Sequence, residues 1–540
     1  MEIRNTIDII ANIKALVNKR GFIYTLCLII IEDFHFNVEK MHEIDIRARL
    51  NKNEVSLLIG FLIQNEINIE ILDSPFDLIE LKKETYELME ELHRSTLTPI
   101  INKFKPLIEN QDTNVKPSKR EFFGGEDVFI EPIFYSGDGI YDFQYLEFLG
   151  RKYKYDEHWL NSNSNFYFDK VERITNQIKS SHQGKFRKVN FLGLKENKSQ
   201  IIKDFKKDKS IPKNERNNNN DEFISMIEFY QFFEFFETEI HLGKGLNPKE
   251  IGESGWNSFY KGLIDLFTIR KSDFNEELDI DFFLNNFSIK SNDEKRNKQF
   301  QNIGDFNLFS AKPIIQIDSE RFFVPIVFSV YEAIYESPYY WMQADKQYKD
   351  ILAENRGKVG EEITYELLIK AFGRKRVYKS VKIETQKGHD DTDIDVLCIL
   401  GSKALCVQVK SKKLTQISRT GNFNQLQLDF KGAVQDAYEQ GLICRDRIIE
   451  KKATFFNENG KKINIIEDIE DVYILGVTTE NYPTLTHQTF ALLEKEETAP
   501  HPLFMTIFDL ELVLFYLDNP YDFLYYVRQR IDLMEYYHAN

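Results

Sequence analysis

Cysteine is scarce in this chain: only Cys27, Cys398, Cys406 and Cys444 occur among 540 residues, and no two of them form a CxxC pair. Zinc ribbons and dithiol redox centres need such pairs, so the sequence gives no support to either class. Cys398 and Cys406 lie inside apolar runs, where a free thiol behaves as a small hydrophobic side chain. This usage predicts a reducing, cytoplasmic compartment.

Long apolar runs are also missing. The segment "GFIYTLCLIII" (21–31) has only 11 residues, whereas a bilayer-spanning helix needs about 20. The segment lacks a small-residue cleavage site, and Glu2 and Asp8 precede it, so we expect no signal peptide. A buried helix or strand is the prediction for these residues, and no membrane contact is expected.

Several catalytic signatures do not occur in the sequence. It contains no GxxxxGK[ST] phosphate loop, no HExxH and no GxSxG, so nothing indicates a P-loop NTPase, a zinc protease or a serine hydrolase. The net charge of −16 argues against broad, nonspecific coating of nucleic acid. A local basic site remains compatible with that total.

The order of the patterns predicts a multidomain α+β protein. Residues 1–115 favour a helical N-terminal domain, 116–340 a mixed α/β region, and 341–540 an α/β domain with a central mixed sheet flanked by helices. The Asn-rich stretches 160–166 and 209–223 are predicted loops. The first 340 residues suggest recognition or a protein partner, and a homo-oligomer is left open.

The segment "TDIDVLCILGSKALCVQVKSKK" (392–413) contains two apolar runs separated by Gly-Ser-Lys. A two-residue loop at 401–402 or 402–403 would close an antiparallel hairpin, with Gly-X suited to a type II′ turn. Either register places Asp395 within one pair of Gln408 and Lys410. Regular alternation then predicts that all three side chains leave the same face of the sheet.

This group of polar side chains has a chemical use. Mg²⁺ prefers oxygen ligands, which the Asp395 carboxylate, the Gln408 amide and the Val409 carbonyl can supply. Lys410 could orient a water or stabilise charge on a pentavalent phosphate. The alternative is a structural ion pair between Asp395 and Lys410, but the full set with its flanking lysines favours the functional interpretation.

An Asp followed by Gln-x-Lys, at the ends of two adjacent strands behind a Glu-bearing helix, resembles the PD-(D/E)xK, or restriction-endonuclease-like, nuclease superfamily. The resemblance covers about residues 345–480 and is strongest to members that cut modified DNA and to bacterial nuclease-related domains. Gln408 stands where most members have an acid, so another carboxylate would help. The resemblance implies a metal-ligating Glu on the preceding helix, for which "RGKVGEEITYELL" (356–368) offers Glu361 first and Glu362 second.

Asp393 and His389 lie in the same motif region. Asp393 is a less favoured extra ligand, and Glu361 and Glu362 could instead be solvated residues near a helix start. His389 is predicted to be an exposed loop residue.

Charge near the hairpin differs in sign from that of the whole chain. Residues 351–420 carry 14 Lys+Arg against nine Asp+Glu, a net of +5, and phosphate contacts need such a patch, although a solvated basic face remains the alternative. The candidate nucleic-acid contacts lie just beyond the hairpin or on the helix after it: Lys412, Lys413, Arg419, Lys431 and Gln435.

The sequence therefore predicts an Mg²⁺-dependent endonuclease, with Mn²⁺ able to substitute and DNA favoured over RNA. By analogy with nucleases attached to large unassigned domains, it suggests an anti-phage or restriction effector. Gln408 best supports the alternative, an inactive nuclease-fold protein that serves as a nucleic-acid-binding or scaffold module.

Overall fold

A computed structural model describes most of the chain: 4–34, 49–72, 76–109, 140–188, 253–290, 296–386, 389–419, 422–451, 453–463, 469–480 and 493–539, with the single positions Lys203 and Lys207. The predicted loop at 209–223 lies outside these residues. The chain divides into two compact units, Met1–Thr98 with Phe166–Ser337, and Pro99–Asn165 with Pro338–Asn540. The three-part division predicted from sequence stays a prediction.

The α-helices in chain order are α1 Thr6–Val17, α2 Phe22–Phe34, α3 Lys52–Leu62, α4 Phe76–Glu109, α5 Asp142–Lys152, α6 Glu157–Ser164, α7 Phe168–Lys188, α8 Glu253–Leu266, α9 Ile280–Phe287, α10 Leu308–Ala311, α11 Val327–Ala344, α12 Lys349–Phe372, α13 Gln416–Arg419, α14 Phe423–Phe430, α15 Asp436–Glu450, α16 Ile507–Tyr516 and α17 Pro520–Ala539. A π-helical turn, Lys431–Gln435, joins α14 to α15.

The strands are β1 Thr268–Arg270, β2 Ser288–Ile289, β3 Ile314–Gln316, β4 Arg321–Phe323, β5 Val377–Gln386, β6 His389–Leu400, β7 Lys403–Lys410, β8 Thr454–Phe456, β9 Asp471–Thr478 and β10 Leu503–Thr506. His389 therefore opens a strand, which corrects its prediction as a loop residue.

The first unit is mainly helical and carries a small sheet in the order β1-β4-β3-β2. The apolar run 21–31 forms part of the buried helix α2, which confirms one of the two predicted forms. Helix α3 begins at a capping box: Asn51 Oδ1 accepts from the Glu54 amide at 3.0 Å, and Glu54 Oε2 accepts from the Asn51 amide at 2.7 Å.

The loop predicted at 160–166 is wrong for most of its length, because α6 continues to Ser164. Asn165 ends the helix in the left-handed conformation, with φ 52°. The buried Leu160 anchors the helix in the core. Tertiary packing thus outweighs the turn preference of the Asn and Ser residues.

Asp33, at the end of α2, is a buried carboxyl whose ionisation opposes folding. Its Oδ2 accepts from the Leu50 amide at 3.0 Å and from the Tyr86 hydroxyl at 2.7 Å. Burial nevertheless raises its pKa from 3.8 to about 6. Between these two pKa values Asp33 is ionised in the unfolded chain but protonated in the folded protein. The free energy of unfolding therefore falls as the pH rises through this range, and it stays lower above the folded pKa.

We therefore expect Asp33→Asn to stabilise the protein more at about pH 8 than at about pH 5, by at most about 3 kcal/mol at the higher pH. An amide oxygen can accept both existing hydrogen bonds. Urea denaturation of the variant and the wild type at both pH values measures the effect. Asp8→Asn, which changes an exposed residue of α1, is the control; an Asp33→Asn effect equal at both pH values would contradict the prediction.

The second unit contains a six-stranded mixed sheet in the order β10-β9-β7-β6-β5-β8. β5, β6 and β7 pair antiparallel, whereas β7, β9 and β10 pair parallel. Helix α12 contacts β5, β6 and β7, and helix α15 contacts β6, β7 and β9. The flanked mixed sheet predicted for residues 341–540 is therefore present.

The two helices cover opposite faces of β7. Cys406 shares a core cluster with Cys444 of α15, whereas a Cβ at Gly360 of α12 would lie 3.1 Å from Val409 Cγ1. Cys406 and Val409 are three positions apart on one strand and so point to opposite faces. The hairpin predicted from sequence is thus a central, covered element.

Candidate active site

The β6–β7 hairpin closes through Gly401 and Ser402. Leu400 pairs with Lys403 and Val396 pairs with Val407, which confirms the first of the two predicted registers. Gly401 has φ 57° and Ser402 has a negative φ, as a type II′ turn requires.

Asp395 lies just beyond the last of these backbone pairs. Its Oδ2 accepts a hydrogen bond from the Val409 amide at 2.6 Å. A side-chain carboxylate thus satisfies a backbone donor at the end of β7. The Asp395 carboxyl is held between the two strands.

The regular alternation of side chains breaks at this point of the sheet. Ile394 and Leu397 belong to one core cluster, although three positions along a strand should place them on opposite faces. Ser380, on the neighbouring strand β5, has a φ of 49°. The prediction of a shared face for Asp395, Gln408 and Lys410 depended on unbroken alternation, which does not hold at Asp395.

Gln408 is buried on the side of the sheet that α15 covers. Its Nε2 donates to the Asp393 carbonyl at 3.0 Å and lies 3.8 Å from Cys444 Sγ. The amide nitrogen is committed to these contacts, so the amide oxygen is the atom that a cation would use.

Lys410 occupies the last position of β7. Its Nζ donates to Gln440 Oε1 of α15 at 2.7 Å, and its charge lowers the pKa of Asp395 against the larger effect of burial. Lys410 therefore lies within electrostatic range of the Asp395 carboxyl, with its ammonium oriented by an amide.

Glu361 of α12 reaches the same end of the hairpin. Ser380 Oγ donates to its carboxylate at 3.5 Å. Burial raises the pKa of Glu361; the Lys379 charge opposes this shift and the Asp393 charge adds to it. The negative charge of Glu361 also raises the pKa of Asp395, by less than burial does.

Glu362 points into a different set of contacts. It accepts from the Tyr155 hydroxyl at 2.8 Å, forms an ion pair with Lys154, and lies 3.6 Å from Lys379 Nζ. Burial alone would raise its pKa, but the hydrogen bonds from Lys154 and Tyr155 hold it below the usual value. These contacts favour Glu361 over Glu362 as the ligand candidate.

The electrostatics of the site suit a divalent cation. Burial is the main cause that raises the pKa of Asp395 to about 7; the Val409 amide opposes it, and the negative charges of Glu361 and Asp393 add to it. Ionisation of these carboxyls is unfavourable without a counter-charge, and a hard cation that binds their oxygens supplies one. These charges are compatible with a hard divalent cation such as Mg²⁺, for which Asp395 and Glu361 are the candidate anionic ligands.

The neutral donors are needed for that fit. Within the part of the chain that the structure describes, no group of three or more His, Cys, Asp or Glu side chains is placed to hold a metal ion. A site of two carboxylates would depend on the Gln408 amide, the Val409 carbonyl and water for its remaining ligands.

The predicted nucleic-acid contacts occupy different environments. Lys412 is exposed and lies 3.4 Å from the buried Asp429, and Arg419 is exposed on α13. Lys413 is largely covered, 3.2 Å from Glu480 and 4.6 Å from the Tyr339 ring centroid. Lys412 and Arg419 are therefore the more accessible of these three.

Lys431 and Gln435, both predicted on the helix after the hairpin, differ in exposure. Lys431 is exposed and paired with Asp436. Gln435 is buried, and its amide makes two hydrogen bonds of 2.8 Å with the backbone of Glu494. Both lie in the π-helical turn, which departs from the 3.6-residue period of an α-helix.

Sequence reasoning missed Gln440 and Asp429. Gln440 orients Lys410, and Asp429 accepts from Thr415 and Ser418, anchoring the segment after β7. Their partners lie 30 and 11 to 14 positions away, and no motif spacing signals such pairs.

Comparison with known families agrees with this geometry. The sequence model of one family, described as the nuclease-related domain (NERD), matches residues 356–467. This range includes Glu361, Asp395, Gln408 and Lys410. The chain therefore contains a nuclease-related region, consistent with a restriction-endonuclease-like fold, over about a fifth of its length. No curated protein and no solved structure matches the chain.

All four cysteines are buried free thiols. Across the described ranges, no helix combines the length and apolar character needed to cross a bilayer.

Proposed function

We propose that this protein is an Mg²⁺-dependent nuclease that hydrolyses phosphodiester bonds, with DNA preferred over RNA and Mn²⁺ able to substitute. The observation that carries the proposal is the position of Asp395, bound to the Val409 amide at the end of the hairpin, with Glu361 and Lys410 at the same end, within a matched nuclease-related region. Two carboxyls and an ammonium at the end of a covered hairpin suit hydrolysis of an anionic ester better than they suit stability.

Asp395, Glu361, the Gln408 amide oxygen and the Val409 carbonyl would hold the cation. When bound, Mg²⁺ acts as a Lewis acid that polarises a phosphoryl oxygen and lowers the pKa of water. Asp395 is positioned for this role by the Val409 amide, and Glu361 by α12 and Ser380.

Lys410 supplies a positive charge in addition to that of the cation. Gln440 accepts one N–H of the ammonium, which leaves further N–H groups for a phosphate oxygen or for an attacking water. Charge that develops on the phosphoryl group in the transition state is stabilised by such a fixed donor. The role of Lys410 is therefore electrostatic stabilisation and orientation.

Exposed Lys412 and Arg419, with Lys413 and Lys431 nearby in sequence, would neutralise phosphates on either side of the cleaved bond. The local net charge of +5 supports an anionic polymer as the substrate. A role in anti-phage defence or restriction rests on analogy with nucleases attached to large additional domains.

Incubation of the purified protein with supercoiled plasmid tests the proposal. We expect nicked or linear products with Mg²⁺ or Mn²⁺, and none after chelation with EDTA. A single-stranded RNA and a single-stranded DNA of the same sequence compare the two substrate classes. Absence of cleavage of every DNA and RNA across metals, pH and salt would contradict the proposed activity.

An inactive nucleic-acid-binding or scaffold protein is the second candidate. It is favoured by the neutral Gln408 and by the lack of a third acidic, histidine or cysteine ligand among the described residues. Binding of nucleic acid without cation binding would identify this alternative.

A further inference from the structure

Tyr155 is an exposed aromatic residue on a turn that is flanked by buried residues. Its neighbour Tyr153 is fully buried, and so is Asp156. Asp156 Oδ1 accepts from the Tyr348 hydroxyl at 2.8 Å and from Asn355 Nδ2 of α12 at 2.6 Å. Tyr155, which as a residue is 38% exposed, thus lies between two buried residues that anchor the turn.

The Tyr155 side chain contacts α12, the helix that carries Glu361. The Tyr155 hydroxyl donates to Glu362, the residue that follows Glu361 on α12. Lys358 Nζ lies 4.2 Å from the Tyr155 ring centroid. Lys358 precedes Glu361 by three positions, which places the two side chains next to each other on the helix surface.

Two ammonium groups accompany the ring. Besides Lys358, Lys154 Nζ lies 4.8 Å from the ring centroid, and both lysines are exposed. An aromatic surface beside exposed cations is the combination that proteins use to bind single-stranded nucleic acid, because bases stack on the ring and phosphates meet the cations.

The energies allow a base to take the place of an ammonium over the ring. An exposed cation–π contact contributes about 0.5–1 kcal/mol, whereas a base stacked on an aromatic side chain contributes about 1–3 kcal/mol. A displaced ammonium can then pair with the backbone phosphate of the same nucleotide.

We propose that Tyr155, with Lys154 and Lys358, forms a stacking site for an unpaired base next to the bond that is cleaved. The inference rests on the proposed nuclease function and specifies its preferred substrate: a single strand, or DNA with an unpaired nucleotide such as a negatively supercoiled plasmid offers, over a relaxed, fully paired duplex. Bases inside a duplex keep their faces stacked and cannot use the ring. These residues come from 154–155 and from α12, so the family match at 356–467 includes only part of the site.

Fluorescence anisotropy with a labelled single-stranded oligonucleotide and with a blunt duplex, both in EDTA, tests this site in the full-length protein. We expect Tyr155→Ala to weaken single-strand binding by about 5- to 150-fold, the range for loss of one stacked base. Duplex binding should change by less than about twofold, since the ring makes no stack there.

Two variants separate stacking from structure. Tyr155→Phe keeps the ring and loses only the hydroxyl bond to Glu362, so it should bind the single strand like the wild type. Tyr525→Ala removes another exposed tyrosine, on α17, and should also bind normally. Thermal unfolding of each variant checks that the fold is retained.

Wild-type affinity of Tyr155→Ala for the single strand would overturn the inference. An equal loss for single strand and duplex, or an equal loss in Tyr155→Phe, would overturn it as well, as would the lack of any single-strand binding by the wild type. Cleavage with Mn²⁺ is measured on the same samples: wild type that binds but never cuts contradicts the proposed function and leaves the stacking result standing.

Discussion

Lys410→Ala is expected to lower the rate of phosphodiester cleavage by about 10²- to 10³-fold, the usual effect of removing one group that stabilises transition-state charge. Folding should be nearly unaffected, because Lys410 is partly exposed at the end of β7. Its hydrogen-bond partner Gln440 is neutral, so the substitution leaves no unpaired charge. Substrate affinity should change little. Single-turnover cleavage and anisotropy measure the two effects separately.

Lys412→Ala is the matched control for Lys410→Ala. Lys412 is exposed two positions further on and lies 3.4 Å from Asp429, so its proposed contact is with a phosphate outside the reacting centre. Its loss should weaken binding and reduce the dependence of affinity on salt by about one phosphate contact, with a smaller effect on cleavage at saturating protein. If Lys410→Ala cuts at nearly the wild-type rate, the assignment of the active site is wrong.

Asp395→Asn is expected to remove measurable binding of Mg²⁺ and Mn²⁺. The substitution retains an oxygen that can accept from the Val409 amide, so the end of the hairpin should stay in place. It removes one of the two anionic ligands, and oxygen-ligand affinity for hard cations depends on ligand charge. Isothermal titration calorimetry of Mn²⁺ into the wild type and the variant measures the difference.

Asp471→Asn is the matched control for cation binding. Asp471 pairs with Lys403 at the opposite end of β7, roughly 20 Å along the strand from Lys410. Its titration should match that of the wild type. Cation binding that survives in Asp395→Asn would place the site elsewhere, and a wild type that binds neither cation would favour the scaffold alternative.

The hairpin and its register could be predicted from sequence because both depend on local chemistry. Gly401 favours the turn, and apolar runs on each side of it allow only two close registers. Glu361 could be predicted as a ligand candidate because the resembling nuclease family has a Glu on the helix before the core strands. The structure brings Glu361 and Asp395 within electrostatic range of each other.

Other features depend on contacts that no local pattern records. Side-chain alternation breaks at Ser380 and Asp395. Ser380 adopts the left-handed backbone conformation, which serine does not favour. Gln440, Asp429 and Tyr155 acquire their roles from partners far away along the chain. Gln435, predicted as a nucleic-acid contact, is likewise buried in a π-helical turn that the sequence did not indicate.

The most direct test of the central claim is the cleavage time course of a supercoiled plasmid and of a single-stranded DNA by the wild type and by Asp395→Asn, with Mn²⁺ and with EDTA. We predict cleavage by the wild type with Mn²⁺ alone, and a loss of at least about 10²-fold in the variant under the same conditions. Equal cleavage by the two proteins, or cleavage by the wild type that continues in EDTA, would contradict metal-dependent hydrolysis at Asp395.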